Sequence, residues 1–103
     1  MIIVLATIKY SGSDIDNLRE AIIDNQKASA SEAGCISYTF TTEIGDPNTV
    51  RVIEQWETMD DLKAHFATAH MAEFQQAMSK FPAKSLDVKL YEVAQELESP
   101  WNG

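Results

Sequence analysis

The chain has 103 residues, 45% of them hydrophobic and 23% charged, and its formal net charge at pH 7 is −8. This length suits one compact domain, which we place at residues 1–95 with a tail over 96–103. The acidic balance argues against a nucleic-acid or anionic membrane partner, because both repel an acidic protein unless a local basic patch overrides the field. The eight lysines and arginines are scattered and form no such patch.

The longest apolar run, from Met1 to Ile8, is far too short to span a bilayer. It also lacks the basic start and the small-residue cleavage site of a secretory signal. Cys35 is the only cysteine, so it cannot form an internal disulfide, and no Cys or His cluster has zinc spacing. We therefore expect a cytoplasmic protein in which Cys35 is a small, buried apolar residue.

The predicted elements begin with a strand rich in β-branched residues over 2–10, ended by the turn Ser11-Gly12-Ser13. From Asp14, apolar positions at helical spacing predict a helix that Gly34 closes as a C-terminal cap. Residues 35–44 and 49–57 are predicted strands of a β-hairpin, joined by the turn Gly45-Asp46-Pro47-Asn48.

A second helix is predicted over 58–81, with a break or kink near His70, and Pro82 ends it. Thr58 and Asp61 have the spacing of a capping box, with Asp in place of the usual Glu or Gln. A last strand is predicted over 86–93. The order β-α-β-β-α-β is that of a ferredoxin-like α+β fold, a four-stranded antiparallel sheet with helices on one face.

The predicted strands carry apolar residues on both faces. Residues 2–6 are apolar without interruption, although an antiparallel sheet with one wet face should alternate apolar and polar residues. The same excess continues in the other strands at Ile36, Tyr38, Phe40 and Ile53. At about 25 cal/mol per Å² of apolar surface, a wet outer face would forgo several kcal/mol. We therefore expect a homodimer packed through the sheet face.

The junction between the third strand and the second helix brings two chemically interesting side chains together. Glu54 shares a strand face with Val52 and Trp56, which makes it a carboxylate on an apolar face. Its role is either catalysis or partnership with Arg51, Lys89 or a backbone donor. Trp56 either walls a pocket between sheet and helix or fills the core.

His65 and His70 invite a metal-site hypothesis, but they are five residues apart. On a continuous helix at about 100° per residue they point about 140° away from each other. Helical metal pairs use spacings of three or four residues, so we expect no metal unless the helix breaks between them. Each could instead be a structural histidine at the edge of a buried stripe. Cys35 has no basic neighbour to activate it, and no glycine-rich phosphate loop is present.

One combination of residues resembles the antibiotic biosynthesis monooxygenase (ABM) family: Gly34-Cys35-Ile36-Ser37-Tyr38, then Glu54-x-Trp56, then Leu62-x-x-His65-x-x-x-x-His70 and Phe74. The resemblance covers nearly the whole domain. It implies a dimeric α+β barrel, made of two ferredoxin-like units joined through their sheets.

The resemblance also implies a chemistry. Similar members are small cofactor-independent monooxygenases that oxidise phenols, anthrones or quinols with molecular oxygen, so that no cofactor is expected. The deprotonated substrate reduces oxygen itself, and the protein needs only a base, an aromatic wall and a dry pocket. His65 or His70 is then the candidate base and Glu54 the group that orients or charge-balances it. The candidate substrate contacts are Trp56, Tyr38, Phe66 and Phe74.

Other interpretations stay open beside this one. The haem-degrading branch of the superfamily uses an asparagine in the first strand, where this chain has Ala6 and Thr7. Another branch resembles an isomerase of a phosphorylated signalling sugar, which would need a basic or N–H-rich pocket. A non-catalytic dimeric ligand-binding module is the non-enzyme alternative, because fold does not dictate function.

Overall fold

The computed structural model describes residues 1–101, and residues 102 and 103 of the expected tail lie outside the described part. The elements are, in chain order, β1 (Ile2–Lys9), α1 (Asp14–Ala30), β2 (Cys35–Glu43), β3 (Asp46–Trp56), α2 (Met59–Phe66), α3 (Ala69–Ser79) and β4 (Ser85–Glu92). They confirm the expected ferredoxin-like α+β fold. Within residues 1–101, the helices are all too short or too polar to cross a membrane.

The sheet is antiparallel throughout, with the strand order β2-β3-β1-β4. Alternate residues of β1 are buried beneath the helices, and they pair across β3 with residues of the same face. In this register Val4 lies opposite Glu54 and Ile2 lies opposite Trp56. Glu54 and Trp56 therefore lie on the apolar, helix-facing side of the sheet, as the strand periodicity predicts.

The opposite face of the sheet carries apolar side chains that no helix covers. Leu5 and Ile53 are cross-strand partners, and they are 44% and 42% exposed. Tyr91 of β4 lies opposite Ile3 of β1 and is also exposed. This outer face is as apolar as the sequence indicates.

The predicted second helix is two helices, α2 and α3, separated at Ala67 and Thr68. The Thr68 hydroxyl donates to the His65 carbonyl (2.7 Å) and accepts from the Met71 N–H, which ends one helix and caps the next. The expectation that His65 and His70 point apart is therefore wrong, because it assumed a continuous helix. Their ring centroids lie 5.8 Å apart.

The start of α2 has the predicted cap. The Thr58 hydroxyl accepts from the Asp61 N–H (3.1 Å) and donates to the Asp61 carboxylate (2.8 Å). Gly34 does not close α1, which ends four residues earlier at Ala30. It has a positive φ of 80° in the loop before β2, where a Cβ would collide with the Asp61 carboxylate. Its carbonyl accepts from the Glu57 N–H (2.8 Å), so this loop is held against the start of α2.

Candidate active site

A cavity of about 190 Å³ lies between the helix-facing side of the sheet and the helices. Its lining is predominantly apolar and includes Val4, Ala6, Ile8, Tyr10, Tyr38, Phe40, Val52, Glu54, Phe66, Phe74, Met78, Phe81, Ala83, Leu86 and Val88. Glu54 is the single residue among these with a carboxylate. Leu86 and Val88 of the edge strand β4 are exposed and form an open rim. The cavity therefore opens from the apolar interior to solvent.

Glu54 is held in the cavity lining by a neighbour on its own strand. The Trp56 indole N–H donates to Glu54 Oε1 at 2.9 Å, and Glu54 is only 7% exposed. Burial raises the pKa of the Glu54 carboxyl; the Trp56 hydrogen bond and His65 act to lower it, and the Glu32 carboxylate acts to raise it. This carboxyl is consequently a stronger base than one in water.

Arg51 and Lys89, the charged partners considered for Glu54, do not reach it. Arg51 bonds Thr7 and Glu43, and Lys89 bonds Asp87. In the sheet register these two cations lie opposite Thr7 and Leu5, on the outer face. The reason is the strand periodicity, since Arg51 is an odd number of residues from Glu54.

Trp56 does not line the cavity. Its side chain is fully buried behind Glu54, with its ring centroid 4.9 Å from that of His65 and 6.4 Å from that of Tyr38. Of the two roles considered for it, the structure places it in the core. Its indole N–H nevertheless orients the carboxylate that does reach the cavity.

Tyr38, Phe66 and Phe74 all line the cavity with Glu54, as the predicted substrate contacts would. The buried Tyr38 hydroxyl accepts from Asn25 Nδ2 at 3.1 Å. Burial is the main cause that raises the pKa of Tyr38, and the nearby Glu54 carboxylate adds to it. Tyr38 is therefore a neutral phenol that accepts from Asn25 and keeps its own proton for donation.

His65 and His70 lie behind the cavity and do not line it. Both contact one carboxylate oxygen, Glu32 Oε2, which is 2.6 Å from His65 Nδ1 and 3.1 Å from His70 Nε2. We call these three residues the His–Glu cluster. His70 Nδ1 also lies 3.1 Å from Asn25 Oδ1, so Asn25 joins the cluster to Tyr38.

Sequence reasoning missed Glu32 and Asn25. Asn25 carried a usable signal, because it lies seven residues after Leu18 on the buried stripe of α1, and a polar residue there needs a partner. Glu32 carried none, since it lies in the loop after α1 and reaches the histidines only through the fold.

Comparison with known proteins places this fold among solved structures. The chain superimposes on a proposed antibiotic biosynthesis monooxygenase of Deinococcus radiodurans with a TM-score of 0.88 and 20% identity, over 96% of this chain and 98% of that one. For a proposed monooxygenase of Nitrosomonas europaea the TM-score is 0.85 and the identity 20%, over 92% of this chain and 100% of that one. These likenesses show the shared fold.

Sequence comparison adds a more direct relation. An uncharacterised protein of Synechocystis sp. is 34% identical over 67 residues, which are 65% of this chain and 46% of that protein. The chain thus corresponds to about half the length of this relative. The family model described as antibiotic biosynthesis monooxygenase matches residues 1–77. The chain belongs to the antibiotic biosynthesis monooxygenase family.

Proposed function

We propose that this protein is a small cofactor-independent monooxygenase that oxidises a phenolic, anthrone or quinol-type substrate with molecular oxygen. The observation that carries the proposal is the buried Glu54 carboxylate in the lining of an otherwise apolar, aromatic cavity. A buried carboxylate is costly unless it has a use or a partner, and here its hydrogen bond to Trp56 engages only one oxygen.

Glu54 is the base in this proposal. Oε1 is held by Trp56, and Oε2 accepts the proton of a substrate hydroxyl. The resulting anion is electron-rich and reduces oxygen. When a ring C–H of a phenol or quinol, or the CH₂ group of an anthrone, is oxidised to a carbonyl, one oxygen atom enters the product and the other leaves as water. The apolar surroundings limit access of water to the anion. Tyr38, neutral because burial raises its pKa, donates a hydrogen bond to the substrate oxygen.

The histidines take supporting roles. His65 packs against Trp56 and is among the groups that favour the charged form of Glu54. His70 holds Asn25, which in turn fixes the Tyr38 hydroxyl. Both are therefore positioning residues in this proposal, whereas the sequence pattern favoured one of them as the base.

The cavity volume narrows the substrate class. An apolar cavity of about 150 Å³ accommodates benzene, so about 190 Å³ holds one aromatic ring or a small fused pair. A larger planar substrate would extend over the open rim at Leu86 and Val88. We therefore place monocyclic and bicyclic quinols ahead of three-ring anthrones.

We also propose that the protein is a homodimer packed through the outer sheet face, with a standard-sized interface of about 1,600 Å². The support is the uncovered pair Leu5 and Ile53 at the centre of that face, with Tyr91 beside it. We also propose a cytoplasmic location, since the single cysteine of the chain is a free thiol and a reducing compartment keeps thiols free.

The deciding experiment is oxygen uptake by the purified protein with a panel of hydroquinones, naphthols and anthrones, in the presence of chelator and without flavin. The proposal expects uptake above the uncatalysed rate for at least one substrate, and loss of that excess in Glu54→Gln. Uptake equal to the uncatalysed rate for the whole panel would contradict it.

A non-catalytic dimeric ligand-binding module is the second candidate. It is favoured by one observation, namely that the imidazoles lie away from the cavity. In that case the same aromatics would bind, as measured by calorimetry, without oxygen uptake. The sugar-phosphate interpretation is weaker, because no Lys or Arg is among the lining residues, and the haem interpretation lacks a polar side chain at Ala6.

A further inference from the structure

The His–Glu cluster brings together side chains from three separate segments. Glu32 comes from the loop between α1 and β2, His65 from the last turn of α2, and His70 from the first turn of α3. One ligand-type atom from each lies within 4.8 Å of the other two. The break between α2 and α3 makes this convergence possible, because it turns His70 back towards His65.

The donor set is that of a transition-metal site. Two imidazole nitrogens and one carboxylate oxygen bind Zn²⁺, or other divalent first-row ions, and leave positions open for water. With metal–ligand bonds of about 2.0–2.1 Å, tetrahedral ligand atoms lie about 3.3 Å from one another. The carboxylate oxygen is now 2.6 and 3.1 Å from the two nitrogens. These two distances are shorter than that spacing, so binding a metal requires the Glu32 carboxylate to move slightly away from both imidazoles.

The surroundings of His70 match those of a metal ligand. Metal-binding histidines usually donate their second ring N–H to an oxygen acceptor, which fixes the ring. His70 Nδ1 faces Asn25 Oδ1, and the Asn25 amide is oriented by its own hydrogen bond to Tyr38. When Nδ1–H donates to Asn25, the other ring nitrogen, Nε2, is the atom that would bind a metal beside the Glu32 carboxylate.

The cluster is also open to an ion from solvent. The side chain of His65 is 1% exposed, whereas those of Glu32 and His70 are 15% and 23% exposed. His70 lies in a surface depression whose lining includes Asp24 and Glu73. Carboxylates at the opening of the site, in a chain of net charge −8, attract cations.

We propose that Glu32, His65 and His70 bind one divalent transition-metal ion per chain, of the Zn²⁺ type. None of the three ligands lines the cavity, so the ion would not contact the proposed substrate, although His65 and His70 also help to position Glu54 and Tyr38. The metal would tie the end of α2, the start of α3 and the loop before β2 together. The expectation of no metal rested on a continuous helix, which the structure does not have.

The test uses chain without a polyhistidine tag, because His65 and His70 are the only histidines in the sequence. Chelator-treated protein is titrated with Zn²⁺ by calorimetry, with the melting temperature measured in parallel, and Co²⁺ is used as a spectroscopic probe. The expected results are one Zn²⁺ per chain, a higher melting temperature and the visible bands of tetrahedral or five-coordinate Co²⁺.

Two variants remove a ligand and two serve as controls. Glu32→Gln and His70→Gln should each weaken Zn²⁺ binding by at least about 10- to 100-fold and abolish the Co²⁺ bands. Glu73→Gln removes a carboxylate that lies in the same depression but is not a proposed ligand, and Cys35→Ser removes the thiol of the single cysteine. Both variants should therefore still bind one Zn²⁺ per chain. Circular dichroism checks that each variant folds. If one of the two ligand variants does not fold, the other still tests the proposal.

The proposal is overturned if the unmodified chain binds no Zn²⁺ at millimolar concentration. It is equally overturned if both ligand variants bind as the parent does, or if Cys35→Ser abolishes binding. Because the oxygen-uptake assay is run with chelator, failure here and failure of the monooxygenase proposal are separate results.

Discussion

Replacing Glu54 by glutamine is the sharpest test of the proposed chemistry, because the amide keeps the shape of the carboxylate and removes the base. The amide oxygen of the substituted side chain could still accept from the Trp56 indole at the present 2.9 Å. A hydrogen bond to a charged group contributes about 1.5–3 kcal/mol and a neutral one about 0.5–1.5, so this contact weakens by about 1 kcal/mol. The amide avoids the cost of a buried charge, which acts in the opposite direction. We expect a net change in unfolding free energy within about 1 kcal/mol.

The effect on activity should be far larger. Loss of a general base lowers the rate by about 10² to 10⁴-fold, which corresponds to about 2.7–5.4 kcal/mol in the activation barrier. Urea unfolding gives the stability and initial oxygen uptake gives the rate on the same preparation. Glu57→Gln is a suitable control, since Glu57 is an exposed glutamate just beyond β3. A folded Glu54→Gln variant with the parent rate would refute the assignment of Glu54 as base.

The core, the buried carboxyl and the outer face each give one more prediction. Trp56→Phe should destabilise the fold by about 1–3 kcal/mol, because it empties core volume and removes the donor to Glu54; unchanged stability in urea would show that the indole is not a core element. Burial raises the Glu54 pKa, so the native state keeps a proton that the unfolded chain has lost. Stability should therefore fall as pH rises from the usual glutamate pKa of about 4.3 through the raised pKa, while activity rises over the upper part of that range. Glu54→Gln, measured with chelator present, should lose this pH-dependent contribution to stability. A variant with the same pH profile of stability as the parent would contradict the assignment to Glu54. Ile53→Lys, on the outer face opposite Leu5, should convert the proposed homodimer to monomer at micromolar concentration in sedimentation, whereas a monomeric parent would contradict the dimer proposal.

Much of the fold follows from local patterns. Period-two alternation in β1 and β3 places Val4, Ala6, Val52 and Glu54 on one face, and the observed register agrees. The Thr58–Asp61 cap was equally readable, because both partners lie within one helical turn. Features that depend on neighbours in sequence were therefore accessible.

Features that depend on contacts between distant segments were harder to predict from the sequence. The stretch from His65 to His70 contains no Gly or Pro. The sequence signal for the break is Thr68, whose hydroxyl bonds the His65 carbonyl and the Met71 N–H between the two helices. Glu32 is 33 residues from His65, and no local pattern links them. The cavity could be expected from the aromatic residues. Trp56 lies behind it because α2 covers the end of β3, and the rotation of α2 about its axis cannot be deduced from residue spacing alone.

The contact between Gly34 and the Asp61 carboxylate has a consequence for how this family member tolerates mutation. Gly34 has no side chain and lines no part of the cavity, yet any larger residue would displace the Asp61 carboxylate, which accepts from the Thr58 hydroxyl that caps α2. The strand that begins at the next residue pairs Cys35 with Trp56, so the displacement would pass directly to the tryptophan that holds Glu54. In a saturation screen scored on turnover, Gly34 should be as intolerant as Glu54, and only a separate measurement of folded yield would tell an architectural position from a chemical one.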